Sequence, residues 1–213
     1  MRLLVVDECC YTRLGVAAYV AAATSNDSVK CCASIEQAMP LLQNDPPNLV
    51  LVNMTAYCRN HAGDTLLPAF IAACQPLALY MYIDAPYPTG EQPLQIAGHT
   101  FLFRKAILAN VLQDLPHAHW PWSTPIFSAQ EQAVMKYWMA QWSTHQIARK
   151  LHISPPTVYV HKRHITEKIH TRNRLEFYAL YNLLRYYYPP HPGPYVAGSR
   201  SEMQTPPHRL QPV

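Results

Sequence analysis

Apolar positions in the first half of this chain come in short runs: Leu3 to Val6, Val29 to Ala33 around Lys30, Leu49 to Val52, Leu77 to Ile83 and Thr100 to Phe103. Runs of this length bounded by polar residues suit strands buried on both faces. Apolar residues at helical spacing mark Leu14 to Ala23, Ile35 to Leu42, Leu66 to Cys74 and Ala106 to Leu115. Strand and helix in alternation predict five parallel strands covered on both sides. The expected fold over residues 1–115 is therefore α/β, doubly wound and flavodoxin-like in strand order.

From Ser128 onward the period is helical. Val134, Tyr137, Trp138 and Met139 share a face behind Ser128, and Glu131 stands three residues after that serine, the spacing of a capping box. This predicts a helix to about Gln141. Ser143 or Thr144 can cap a shorter helix whose inner face is Ile147, Ala148 and Leu151. His152 and Ile153 make a turn. Ser154 is the next N-cap, and Pro155 takes the first helical position, where its missing N–H costs nothing. The following helix should run to about His170 with Val158, Ile165 and Ile169 inward and His161 beside them. Tyr159, Val160, Arg163, Thr166 and Glu167 then face outward, flanked by Lys162 and His164. Phe177, Leu180, Tyr181, Leu184 and Tyr187 predict a last helix with one apolar face, mostly packed on its own domain and partly open to a partner. Residues 126–188 thus read as an all-α helix-turn-helix domain.

Between the two domains, residues 116–125 read as a linker containing Trp120 and Trp122. Residues 189–213 carry seven prolines and little to form a core, and read as a disordered tail. The chain's net charge of +4 is unevenly divided. Residues 1–122 hold 6 Lys/Arg against 9 Asp/Glu, and residues 123–188 hold 9 against 3, with five histidines besides. The second domain is the basic one, which points to double-stranded DNA as its partner. An exposed helix with Arg163 at its centre suits the major groove, where a guanidinium can meet guanine in bidentate fashion. Lys162, His164, Lys168, Arg172 and Arg174 are expected at phosphates.

The segment Phe127 to Arg174 resembles the DNA-binding domain of the LuxR/FixJ class of bacterial transcription regulators. The resemblance rests on Glu131, Ile147, Ala148, Leu151, Ser154, Thr157, Val158, His161, Ile165, Lys168, Asn173 and Arg174. It implies that Thr157 belongs to the DNA-binding set, with base contacts from the outward residues after it, namely Tyr159, Val160 and Arg163. Tyr159 stands where the class commonly has lysine, and Gln141 where it usually has a glycine, a place that favours positive φ.

The stretches Val5 to Val20 and Pro46 to Met54 resemble the receiver domain of response regulators. That resemblance makes Asp7 and Glu8 the acidic pair and puts Asn53 where the phosphate-accepting aspartate would stand. An amide is no nucleophile for phosphate, so this degenerate site is expected to accept none. Leu77 to Ala85 offers no serine or threonine for a phosphoryl oxygen, and either Arg104 or Lys105 takes the lysine position. Asp7 and Glu8 are expected to bond to nearby loops and to one of those cations, and no metal or other cofactor is expected. The segments DECCYTRLGVAAY, MKYWMA and VYVHKRHITEKIHTRN further resemble auxiliary regulators of capsule synthesis in enterobacteria. These have a receiver-like domain without a phosphorylation site. That likeness implies a heterodimer with a LuxR-class response regulator, a homodimer being the other arrangement.

The remaining chemistry is sparse. Six cysteines, two adjacent pairs and two single, lack the spacing of a zinc or thioredoxin site and are expected as core thiols, with Cys9 and Cys10 kept unreactive by Asp7 and Glu8. The scattered histidines suggest no metal constellation. No nucleophile and base stand paired, so no enzyme is expected. Asp7 and Glu8 interrupt the first apolar run before it could be a signal peptide, and Pro68, Gln75 and Pro76 break the run from Leu66 to Ile83. The bacterial cytoplasm is the expected compartment, at the nucleoid when on DNA. Two functions remain: an auxiliary DNA-binding regulator, and an interaction protein that sequesters a response regulator without reading DNA. The charge of the second domain favours the first.

Overall fold

The computed structural model describes residues 1–23, 27–59, 66–84, 92–115 and 127–191. The linker at 116–125 and the tail beyond His191 lie outside them. In the first domain β1 (Arg2–Val6), β2 (Ser28–Cys32), β3 (Leu49–Asn53), β4 (Ala78–Ile83), β5 (Leu94–Ala97) and β6 (Thr100–Arg104) form one sheet in the order β2-β1-β3-β4-β6-β5. The five strands read from the sequence are parallel to one another, in flavodoxin-like order. The additional strand, β5, pairs antiparallel with β6 through a turn at Gly98, whose φ of 42° suits a residue without Cβ. Only Leu94 to Ala97 form it, too short and too mixed in polarity to register as an apolar run.

Strand side chains alternate between two apolar layers. Leu3, Val5, Leu51, Tyr80, Tyr82, Phe101 and Phe103 meet α1 (Cys10–Ala23) through Val16 and Val20, and α5 (Leu108–Asp114) through Val111 and Leu112. Leu4, Val6, Val50, Val52, Met81 and Leu102 point the other way, into a core shared with α2 (Ile35–Asn44), α3 (Thr55–Arg59) and α4 (Leu66–Cys74). Tyr80 and Phe101 stack across neighbouring strands with ring centres 4.8 Å apart. Of the six thiols, Cys32, Cys58 and Cys74 are core residues, whereas Cys10 and Cys31 are exposed and Cys9 is half-buried. The core expectation thus holds for three. Burial pushes the Cys32 thiol up to about 11 and the Cys74 thiol up to about 12. Hydrogen bonding to Thr12 holds the Cys9 thiol, just ahead of α1, below its ordinary value.

The second domain consists of α6 (Ala129–Met139), α7 (Thr144–Leu151), α8 (Pro155–Lys168) and α9 (Arg174–Leu184). Each start carries a built cap. Ser128 with Glu131, and Ser143 with Gln146, form reciprocal capping boxes; Ser154 and Asn173 accept from the backbone N–H groups of Thr157 and Glu176. α6 and α8 each stop two residues short of the ends expected from apolar spacing. The chain leaves α6, α7 and α8 through Gln141, His152 and His170, with φ of 64°, 54° and 56°, all in the left-handed region. Only glycine enters that region without Cβ strain, and part of that relief is offset by glycine's greater freedom in the unfolded chain. Gln141→Gly is expected to stabilise the fold by about 0.5 kcal/mol, which thermal melting would register as a small rise in Tm; a fall would contradict this view of the turn.

Val134, Ile147, Val158, Ile165, Ile169, Phe177 and Leu180 are fully buried and form the second core. Trp138 lies flat on Phe177 with ring centres 4.7 Å apart and planes 7° from parallel. The two domains touch. The Asn182 side-chain amide donates to the Cys58 carbonyl at 3.0 Å, and the Tyr188 hydroxyl donates to the Ile96 carbonyl. Leu183, Leu184 and Tyr188 join one apolar cluster with Cys58, Phe70 and Cys74. The part of the last helix's face expected to await a partner is therefore covered by the first domain of the same chain.

Candidate nucleic-acid interface

α8 is held at both ends by its own scaffold. Ser154 caps it, and the Thr157 hydroxyl lies 2.8 Å from the Ser154 hydroxyl on the exposed side of the cap. Val158 and Ile165 anchor the helix inward. Tyr159, Val160, Arg163 and His164 are exposed, the first at 69% and the second at 45%, on the face the apolar spacing assigned to DNA. Two large apolar side chains exposed next to a guanidinium suit contact with base edges and thymine methyl groups.

Arg163 and Glu167 form an exposed pair one turn apart, Nε to Oε1 2.6 Å. The bond uses Nε, and the two terminal nitrogens of a guanidinium are donors of the kind that a guanine edge takes. Thr166, read as outward, is half-buried and donates to the Arg163 carbonyl.

Four residues expected at phosphates differ in their engagement. Arg172 is exposed. Arg174 is also exposed, yet its guanidinium lies 5.0 Å from the Tyr178 ring centre and donates to the Tyr178 hydroxyl. Lys162 turns inward, donating to the Thr144 hydroxyl at 3.1 Å and lying 5.2 Å from the Trp138 ring. Burial lowers its ammonium below the ordinary lysine value, helped by the charge of Arg174. Its bond to Thr144 ties α8 to the start of α7. Lys168 pairs with Glu131 at 2.6 Å, and that carboxylate also accepts from the Ser128 N–H at 2.7 Å. Burial works to raise the Glu131 carboxyl, but the bonds from Lys168 and Ser128 outweigh it and hold the group below its ordinary value. Lys168 thus closes a link between α8 and the cap of α6, a role that lysine spacing alone did not reveal.

Glu131, His161 and His164 also place possible ligand atoms within 4.8 Å of one another, a cluster the scattered histidines did not suggest. The Lys168 ammonium occupies one Glu131 oxygen, so a cation there would meet a positive charge already bonded to its carboxylate ligand.

At the sheet's C-terminal edge Asp7 is buried. It accepts from the Cys9 N–H at 2.8 Å, from the Asn53 amide at 3.2 Å and from the Tyr82 hydroxyl, with the Lys105 ammonium 4.0 Å away. Burial pushes the Tyr82 phenol far above its ordinary value, and the hydrogen bond to Asp7 adds to the shift, so it remains a proton donor. The structure thereby selects Lys105 over Arg104, whose Nε is buried with no hydrogen-bond partner. Glu8 is exposed and lines the same cleft as Asp7. The Thr55 hydroxyl donates to the Asn53 carbonyl oxygen at 2.6 Å and accepts from the Asp84 N–H at 2.8 Å. Tyr82 and Thr55 were not singled out from sequence: Tyr82 reads as a strand core residue, and Thr55 as an ordinary helix start. A cleft of about 110 Å³ lined by Asp7, Glu8, Ser34, Asn53 and Tyr57 remains beside this network.

Residues 2–122 match the family described as the RcsA transcriptional regulator's N-terminal dimerisation domain, and residues 125–181 match the bacterial regulatory proteins of the LuxR family. The chain is 28% identical over 187 residues to the transcriptional regulatory protein EntR of Citrobacter freundii, covering 82% of this chain and 94% of EntR. It is 23% identical over 198 residues to the transcriptional regulatory protein RcsA of Erwinia amylovora, covering 86% and 94%. A solved structure of RcsB from Salmonella enterica serovar Typhimurium bound to promoter rprA is 15% identical, covers 86% of this chain and 98% of its own, and has a TM-score of 0.47. Among the described residues no helix is long and apolar enough to cross a membrane. With a receiver-like domain matched over more than half the chain and a capped helix-turn-helix behind it, this protein belongs to the RcsA family of LuxR-type, DNA-binding transcription regulators.

Proposed function

We propose that this regulator works without phosphorylation of its own receiver-like domain, and that it acts on DNA as the auxiliary partner of a LuxR-class response regulator. Capsule, exopolysaccharide or other surface-structure genes are the proposed targets, by likeness to proteins named RcsA. The observation that carries the reading is Asn53. Its amide nitrogen bonds to Asp7 and its amide oxygen accepts from Thr55, so the position offers no carboxylate to attack a phosphodonor. Tyr82 and Lys105 complete the neutralisation of Asp7 from within the chain. Thr55 in turn accepts from the Asp84 N–H, joining the ends of β3 and β4 by a hydrogen bond. A domain wired in this way has its loops set by side chains and not by a transferable group.

The direct contacts to DNA are assigned to Tyr159, Val160 and Arg163 at base edges and to His164, Arg172 and Arg174 at phosphates. Thr157, Lys162 and Lys168 position α8. Incubation with acetyl phosphate and magnesium, followed by intact mass measurement, should show no phosphoryl addition. An adduct on the receiver-like domain would overturn phosphorylation independence.

A further inference from the structure

We propose that Glu131, His161 and His164 form a binding site for a divalent transition-metal ion of the zinc type, which competes with the Lys168 ammonium for the Glu131 carboxylate. Among the described residues, these three bring ligand atoms of histidine, cysteine or carboxylate type together, all within 4.8 Å of one another. His161 and His164 are three residues apart on α8, which puts both imidazoles on one side of the helix. Lys168 follows His164 by four residues and lies on that side too. Its bond to Glu131 shows that this side faces the first turn of α6.

The state of His161 points to a ligand independently. Its Nδ1 is buried without a hydrogen-bond partner, although leaving such a group unpaired is costly and buried polar atoms are nearly always satisfied. The imidazole therefore has a nitrogen that the fold itself does not use. The donor set then selects the ion. Two imidazoles and one carboxylate suit zinc, with water completing a four-coordinate shell, and they offer too few oxygens for calcium or magnesium.

Lys168 does not close the site. Its ammonium and the Ser128 N–H both bond to Oε2 of Glu131, and a carboxylate has a second oxygen for a metal. The lysine side chain is 39% exposed and reaches water by rotating, whereas that of Glu131 is 5% exposed and needs a counter-charge where it stands. A divalent ion supplies twice the charge of the ammonium and adds bonds to two imidazoles, so it takes over the link between α8 and the cap of α6. At zinc's bond lengths of about 2.0–2.2 Å the ligand atoms must close in by roughly an ångström. The exposed His164 is the side chain able to make that move, and the move draws it away from the phosphate assigned to it. The site does not depend on the auxiliary role proposed above.

Calorimetric titration of the chelator-treated full chain with zinc chloride tests it. The wild type should bind zinc, His164→Ala should lose at least about tenfold in affinity, and Lys168→Gln should bind more tightly because the competing charge is gone. His164 is exposed, so its replacement should leave the circular dichroism spectrum unchanged. Cobalt(II) in place of zinc separates this site from the exposed thiols of Cys10 and Cys31. The absorption lost in His164→Ala should consist of d–d bands without thiolate-to-cobalt charge transfer. A wild type that takes up no zinc at about 100 µM would overturn the proposal. So would equal affinity in wild type and His164→Ala, charge transfer in the lost absorption, or Lys168→Gln binding zinc no more tightly than wild type.

Discussion

Arg163→Ala is expected to lower affinity for the specific DNA site by about 1–3 kcal/mol, roughly 5- to 150-fold, while leaving binding to unrelated DNA almost unchanged. The magnitude follows from losing two donors to a guanine edge, and the selectivity from the exposed position of the side chain in the middle of α8. Breaking the pair with Glu167 costs only a few tenths of a kcal/mol, since both groups are solvent-exposed. Glu167→Gln should therefore reduce specificity less than Arg163→Ala, by loosening the guanidinium's aim. Competition gel shifts with specific and scrambled DNA separate these effects. Equal loss on both DNAs after Arg163→Ala would move this arginine from base reading to phosphate contact.

Lys168→Ala is expected to destabilise the fold by about 1–2 kcal/mol, a value reduced from that of a buried pair because the lysine is 39% exposed. The effect arises at Glu131, whose side chain is 5% exposed and would keep only its cap bond as an anion. In the wild type the pair holds the Glu131 carboxyl below its ordinary value of 4.5. A depressed folded value contributes stability that is full above 4.5 and is lost as pH falls through the folded value. In the variant, burial acts unopposed by the ammonium and the carboxyl moves upward. The stability gap between wild type and variant should consequently be widest near pH 7 and narrow toward pH 4. Urea unfolding at the two pH values measures it. A variant as stable as wild type but uniformly weaker on all DNA would instead make Lys168 a phosphate contact.

The difference between these two cations shows where the sequence was informative. Arg163 lies on the exposed arc of a helix whose caps and buried positions were legible from Ser154, Pro155, Val158 and Ile165, so its placement followed from period alone. Lys168 is on the same helix, but its partner Glu131 is 37 residues away on α6, and no local spacing encodes that pairing. Lys162 is similar, its inward turn decided by Trp138 and Thr144 on two other helices. In the first domain the central parallel strands were legible because each is a nearly continuous apolar run, while β2 carries Lys30 in its middle. β5 was not, since an edge strand of four residues carries little pattern. The loss of the phosphate acceptor was visible at Asn53, while the phenol that donates to Asp7 comes from Tyr82, 75 residues from its partner and indistinguishable in sequence from a core aromatic.

Neighbouring helices explain a further limit. The apolar face of α9 was correctly expected, but its cover was not, because the contact joins Asn182 to Cys58 across 124 residues. With that face occupied by its own first domain, the chain has less surface with which to bring a second recognition helix to an adjacent half-site. A single helix-turn-helix module gives limited affinity, and half-sites lie about one helical turn apart.

Gel-shift titration of a target promoter fragment, with the purified chain alone and then with a LuxR-class response regulator added, tests this account most directly. Weak binding alone and much tighter, cooperative binding with the regulator is the predicted result; equal affinity in both titrations would contradict it and make the protein a self-sufficient regulator.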